Sequence, residues 1–290
     1  MASYGSLWKA RLRLLRPGNA LMAALGVLVG MALALRGTGL DLELATWVAA
    51  PLAAALVTGF GNVLNDLGDL ETDRRAHPER PLPGGELKVE EAKSFAALLL
   101  GLGLLEAFVA GGLVLLAFAG GVAALLGVYE WRLKAAGLPG NAAVALLVAA
   151  TFPFGAVAVL GTAALPRTVW LLAAMAFLVN LARELHKDVE DAEGDAAAGR
   201  RTFVARSGAG AAQGLALLAT LAAVALSGLA FLGALDHWPF LLMLGVADAA
   251  FLATAAVLAD AARAQRLLKL GMLAALLGFL VLAVLPAGPP

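Results

Sequence analysis

Apolar residues run along this chain in long blocks and do not alternate with polar ones, so the blocks set the reading. A helix rises about 1.5 Å per residue and needs about 20 apolar residues to cross the hydrocarbon of a bilayer. Blocks of roughly that length fall at 19–35, 44–65, 94–110, 112–128, 141–161, 166–182, 211–235, 238–259 and 267–287. They predict an all-α polytopic membrane protein of nine transmembrane helices around a central cavity. The third and fourth blocks are divided on length. The stretch 94–128 is nearly unbroken, with Glu106 its one acid, and Gly111-Gly112 offers a tight turn in its middle.

Basic residues orient the helices, because positive charge collects on the cytoplasmic side. With the N-terminus inside, all 21 Lys and Arg residues except Arg36 and Arg167 fall in cytoplasmic segments. Nine crossings then leave the C-terminus outside. Met1–Arg16 is basic like the start of a secretion signal, but no small-residue cleavage site follows, and the first block reads as a retained span. Residues 1–290 read as one domain, built from two four-helix pseudo-repeats, about 19–128 and 141–259, with a ninth helix at 267–287. Abundant small residues, including 33 glycines, suit close packing of membrane helices.

Composition agrees and excludes other classes. The chain is 61% hydrophobic and 14% charged, with mean hydropathy +0.87, which rules out a soluble globule and a disordered chain. The formal net charge is zero, so no global field recruits nucleic acid. With no cysteine there is no disulfide, thiolate nucleophile or Cys-bound metal. The histidines His77, His186 and His237 are far apart and form no metal motif.

The acids are where the chemistry concentrates. One stretch holds Asp66, Asp69, Glu71 and Asp73; another holds Glu184, Asp188, Glu190, Asp191, Glu193 and Asp195. Each begins at the cytoplasmic end of a span, the second and the sixth. Asp66, Asp69 and Asp73 are spaced i, i+3, i+7, and Asp188, Asp191 and Asp195 repeat that spacing at one constant offset. If the helices continue past the membrane, each trio lies along one helical face. Like charges so placed repel by a few tenths of a kcal/mol per pair, and a bound cation would reverse the sign. Oxygen-only clusters suit Mg²⁺, which is usually held by one or two carboxylates plus substrate phosphates. Two such clusters, placed by an internal repeat, could meet across the cavity and hold a diphosphate bridged by metal ions. A cation- or proton-coupled transporter is the rival class. Transporters place ionisable groups near the bilayer midplane. Helix-end acids suit a water-soluble diphosphate head whose tail enters lipid.

These residues resemble the UbiA superfamily of intramembrane prenyltransferases. The first motif reads Asn65-Asp66-x-x-Asp69-x-x-x-Asp73 and the second Lys187-x-x-x-Asp191-x-x-x-Asp195, with Asp188 beside the lysine. The likeness extends through Arg16-Pro17-Gly18-Asn19, Arg80-Pro81-Leu82-Pro83-Gly84-Gly85, Tyr129, Lys134 and Gly140-Asn141. It implies a nine-helix fold, Mg²⁺ as cofactor, and transfer of a prenyl group from an isoprenyl diphosphate to a lipophilic acceptor drawn from the membrane lipid phase. It also implies an integral protein of the cell membrane with its active site on the cytoplasmic side. The stretch from Arg183 to Asp195 is most like the branch that builds archaeal-type ether lipids, whose acceptor is geranylgeranylglyceryl phosphate. Aromatic acceptors of quinone or chlorophyll synthesis are the alternative. Oligomeric state is not encoded in any motif.

The resemblance also implies roles. Asn65, Asp66, Asp69 and Asp73 would hold one metal ion, and Asp188, Asp191 and Asp195 the other, with Asp69 and Asp191 essential to catalysis. Lys187 and Arg183 would contact the diphosphate, or else pair with neighbouring carboxylates; Arg is suited to bidentate phosphate recognition and Lys to a point contact. Arg16 is either a phosphate ligand or an interface anchor. Arg80 lies in a Pro-rich loop that reads as a lid or as a rigid connector. Tyr129 would be a wall near the allylic carbon, its π face sheltering a cation, or an interfacial belt residue. Lys134 would bind substrate or serve only as an inside charge. Glu106 and Asp248 lie within spans but match no motif.

Overall fold

The computed structural model describes residues 4–197, 202–232 and 237–284, and the side chains of 4–6 and 195–197 lie outside what is described. Regular structure among the described residues is entirely helical: α1 (Tyr4–Leu15), α2 (Pro17–Leu35), α3 (Leu44–Gly68), α4 (Leu70–Ala76), α5 (Val89–Val128), α6 (Leu138–Ala149), α7 (Thr151–Leu160), α8 (Arg167–Glu190), α9 (Ala192–Ala197), α10 (Phe203–Ser207), α11 (Ala209–Leu232), α12 (Trp238–Ala253) and α13 (Ala261–Val284). A π turn, Tyr129–Leu133, extends α5, and a 3₁₀ turn, Thr254–Val257, extends α12. Eight helical segments among the described residues are long and apolar enough to cross a membrane. One of them runs from Val89 to Leu133, 45 residues, and includes both the third and fourth expected spans.

That segment is not one rod. Gly111 (φ −163°, ψ 28°) and Gly112 (φ 60°, ψ −146°) leave helical geometry. Gly112 is the residue that needs to be glycine, because a side chain at that positive φ is strained. The partners along α3 give the consequence. Gly103 lies against Val57 and Leu99 against Gly59, so the first arm, 89–110, runs antiparallel to α3. Leu126 lies against Gly61 and Glu130 against Gly68, so the second arm runs parallel to it. The chain reverses at the glycine pair.

The chain divides into two compact units, the first ending at Leu28 and resuming as Leu42–Trp131, the second comprising Val29–Asp41 and the chain from Arg132. In the first unit both arms of α5 pack on α3, and α1 packs on α3 as well. Ala10 and Leu14 of α1, Val63 of α3, Leu82 and Leu87 of the following loop, and Ala92, Ala96 and Leu99 of α5 form one buried cluster. No apolar block marks α1. Its buried Ala10 and Leu14 explain why a basic leader is helical: one apolar face is covered while Lys9, Leu12 and Arg13 stay exposed.

In the second unit α8 is central, flanked by α6, α7, α11 and α13. The fifth span is two helices because Pro153 has no N–H for the carbonyl four residues back and clashes with it, so the helix resets at Ala150. The sixth span is longer than the expected block 166–182. α8 continues to Glu190 because its polar end is packed: Leu185, Val204 of α10 and Ala212 of α11 share one buried cluster.

Candidate active site

The first acidic trio sits where α3 gives way to α4. Asp69, between them, has φ −86° and ψ 0°, the sparsely occupied bridge region where many active-site residues sit. The hydrogen bonds continue through it, Asp69 N–H to Asn65 O at 2.9 Å and Asp73 N–H to Asp69 O at 2.8 Å. The face expected from the i, i+3, i+7 spacing therefore persists across a bend. Asp66 and Asp73 are buried, at 5% and 4% exposure. A buried carboxylate is costly unless paired, and each has an arginine. Arg16 pairs with Asp66, and Arg80 Nη1 lies 2.6 Å from Asp73 Oδ2.

Both arginines come from the segments flagged by the Arg-Pro motifs, and the structure shows how each is aimed. Arg16 has φ 51°, in the left-handed region, where a non-glycine residue costs about 1–2 kcal/mol. That turn ends α1 and lets Arg16 O accept from Asn19 N–H at 2.9 Å, starting α2 with Pro17 in its first turn. On α3, Asn62 donates to Leu15 O at 2.8 Å and fixes the same corner. Arg80 is held otherwise. Leu82 and Leu87 are buried, and Gly84 N–H donates to Arg80 O at 2.8 Å. Arg13 of α1 donates to Glu86 at 2.5 Å and to Glu79 O at 2.6 Å. These contacts tie the Pro-rich loop to α1.

The second trio repeats the bend. Asp191, between α8 and α9, also has φ −86° and ψ 0°, and its N–H donates to Lys187 O at 2.9 Å. Asp188 Oδ2 accepts from Asn141 Nδ2 at 2.9 Å, and Asn141, in the first turn of α6, is buried. Asp191 and Lys187 are exposed, and Lys187 makes no ion pair among the described residues. Arg183 does pair, Nη2 to Glu184 Oε1 at 2.6 Å, and Glu184 is buried. The Asp195 side chain lies outside the described residues.

Tyr129 opens the π turn and is half-buried, as is Lys134 just beyond it. In the first unit the structure pairs Arg16 with Asp66, Arg80 with Asp73 and Asn65 with Glu130. In the second it brings Asp188 to Asn141 and Arg183 to Glu184. Three contributors were not singled out as site residues from sequence. Glu130 accepts from Asn65 Nδ2 at 3.4 Å, Asn141 holds Asp188, and Glu184 holds Arg183. Asn141 belongs to the quoted Gly140-Asn141 pair and Glu184 to the second acidic stretch, whereas Glu130 has only its neighbour Tyr129 as a signal.

The donor set on α3 and α4, an amide and three carboxylates, has the hard-oxygen chemistry that Mg²⁺ takes. Among the described residues no three acid or imidazole side chains gather as a ready metal cage. Two of the carboxylates are held by guanidinium groups, which keep buried charge in place.

Comparisons with known proteins agree with one another. The model of the UbiA prenyltransferase family matches residues 23–277. The digeranylgeranylglyceryl phosphate synthase of Methanopyrus kandleri is 42% identical over 277 residues, covering 94% of this chain and 98% of that one. The enzyme of the same name from Methanoculleus marisnigri is 37% identical over 286 residues, covering 95% and 99%. A solved structure of a digeranylgeranylglyceryl phosphate synthase aligns with TM-score 0.76 at 30% identity, over 96% of this chain and 99% of that one. A UbiA homologue from Archaeoglobus fulgidus, solved with GPP and Mg²⁺, shares the fold at TM-score 0.71 and 22% identity, over 95% and 100%. The chain belongs to the UbiA prenyltransferase family, as an integral membrane enzyme that transfers prenyl groups.

Proposed function

We propose that this enzyme transfers a geranylgeranyl group from its diphosphate to geranylgeranylglyceryl phosphate, the second ether-forming step of an archaeal-type lipid. The observation that carries the reading is the pair of bends at Asp69 and Asp191, with identical backbone angles inside two copies of one acidic motif. Relatives named for that reaction, one of them 42% identical over most of both chains, support the acceptor.

Asn65, Asp66, Asp69 and Asp73 would hold one divalent ion, and Asp188, Asp191 and Asp195 a second, Mg²⁺ in each case. Bound there, Mg²⁺ supplies positive charge that stabilises the departing diphosphate. The chain does the rest. Arg16, Arg80, Arg183, Lys187 and Lys134 bind the diphosphate and the phosphate of the acceptor; two anions so close would repel without separate cations. Arg16 and Arg80, now committed to Asp66 and Asp73, exchange a carboxylate for phosphate oxygens of similar bidentate geometry. Tyr129 presents its ring to the allylic carbon. The C–O bond to diphosphate breaks, the acceptor hydroxyl oxygen takes the allylic carbon, and the hydroxyl proton passes to the departing diphosphate. The prenyl chain is sheltered by apolar helix, at about 0.8 kcal/mol per buried CH₂.

We read the topology as nine crossings, counting the two arms of α5 separately, in the cell membrane with the N-terminus and active site on the cytoplasmic side. Residues 1–290 act as one domain made of two four-helix repeats and a ninth helix. A reporter fused after residue 290 should lie outside the cytoplasm; a cytoplasmic signal would break the count.

The deciding experiment is competition. Purified protein given geranylgeranyl diphosphate and Mg²⁺ should prefer geranylgeranylglyceryl phosphate over 4-hydroxybenzoate or a naphthoate by kcat/KM. A better aromatic acceptor would replace this reading with prenylation of a quinone precursor.

A further inference from the structure

We propose that Glu130 is a positioning residue for the first acidic cluster, orienting the amide of Asn65 so that its carbonyl oxygen serves the metal ion. The proposal rests on the reading of Asn65 as a metal ligand. Three observations lead to it. Asn65 Nδ2 donates to Glu130 Oε2 at 3.4 Å. The approach of Glu130 to α3 is accommodated at Gly68, where a Cβ would fall 1.9 Å from Glu130 Oε1 and 2.7 Å from its Cδ. And Glu130 lies in the π turn Tyr129–Leu133, a local change of helical register of the kind frequent at functional sites.

The chemistry follows from the two unlike ends of an amide. The Asn65 side chain has a donor NH₂ and an acceptor oxygen on opposite sides of one planar group. A divalent cation takes the oxygen and repels the NH₂. Left alone, the group can present either end. A carboxylate on the nitrogen side removes that choice, because Glu130 accepts from NH₂ and repels the oxygen. With nitrogen held on Glu130, the carbonyl end turns away from it. Groups that orient a ligand in this way typically account for 10–100-fold in metal affinity when removed. Glu130 matches no motif and follows Tyr129 directly, so one turn carries both a wall residue and the support of a ligand.

The test uses the full-length protein in detergent with Mn²⁺ and inorganic diphosphate as the probe, free Mn²⁺ being read by electron paramagnetic resonance without turnover. Asn65→Ala and Glu130→Ala should each weaken Mn²⁺ binding by about tenfold. The double variant should be no worse than either single one, since both act through one ligand. Glu130→Gln, which keeps an acceptor oxygen, should stay within about threefold of the native protein, and Gly68→Ala, which crowds the carboxylate, should fall between it and Glu130→Ala. Thermal unfolding without metal serves as the control for a packing role. If Asn65→Ala weakens binding but Glu130→Ala does not, the proposal is overturned and the metal reading stands. If Glu130→Gln is as damaging as Glu130→Ala, or the double variant is additive, Glu130 does not act through the Asn65 amide. If neither Asn65→Ala nor Asp69→Ala changes Mn²⁺ binding, the metal reading fails and takes this proposal with it.

Discussion

Asp69 and Asp191 have the same backbone angles, φ −86° and ψ 0°, each at the bend between a long apolar helix and a short polar one. Their neighbourhoods differ. Around Asp69, the flanking Asp66 and Asp73 are buried and countered by Arg16 and Arg80. Around Asp191, the amide of Asn141 is one of the groups that hold Asp188, and Asp191 is itself exposed. The first cluster therefore joins structure and chemistry: its charges would destabilise the fold if unpaired. The second is more open to solvent, with Asp191 and Lys187 both exposed. One backbone bend recurs in two surroundings, flanked by buried acids at Asp69 and open to solvent at Asp191.

The largest effect tests whether the two bends are equivalent in chemistry. Asp69→Ala and Asp191→Ala should each lower turnover by at least about 100-fold, the scale of losing charge stabilisation at a departing group. Both proteins should remain folded by size-exclusion chromatography. Near-normal activity in either variant would sink the two-cluster account.

Stability should separate the two. Removing Arg16 leaves Asp66 buried without its direct ion-pair partner. Breaking a fully buried pair costs about 3–5 kcal/mol; since the arginine side chain is 36% exposed, a loss of about 2 kcal/mol is expected by thermal unfolding in detergent. Lys187→Ala, at an exposed site, should change stability by less than about 0.5 kcal/mol. Equal losses would mean that burial of Asp66 and Asp73 carries no energetic weight.

A smaller effect probes the second cluster from its support. Asn141→Ala should raise the metal concentration for half-maximal rate by about tenfold while leaving the fold intact, because it removes one support of Asp188. No change would assign Asn141 to helix packing alone. The smallest effect is a control: Arg74→Ala breaks an exposed pair with Glu71, 2.6 Å apart, and should cost less than about 0.5 kcal/mol.

Much of this was legible in the residues. Apolar blocks read as helices because in lipid every backbone polar group must be satisfied within the segment. The turn at Gly111-Gly112 was legible because the block was too long and glycine tolerates the positive φ. The acidic trios were legible because helical spacing alone puts i, i+3 and i+7 on one face. Three things were not. α1 depended on Ala10 and Leu14 finding cover that no local pattern revealed. The reach of α8 to Glu190 depended on α10 and α11 packing its polar end. The partners of the acids depended on long-range contacts: Arg16 with Asp66, Asn65 with Glu130, Asn141 with Asp188.

The sequence by itself determined the solvent of this protein, its membrane-spanning helices and the helical spacing of its carboxylates, since each follows from composition or from periodicity within one segment. Tertiary structure alone decided which carboxylates are buried, which cation each one holds and which residue supports each ligand. The reason is range. Helical periodicity acts over a few residues, whereas the pairing of Arg16 with Asp66 spans 50 positions and that of Asn65 with Glu130 spans 65. Only packing of one helix against another brings such groups within reach.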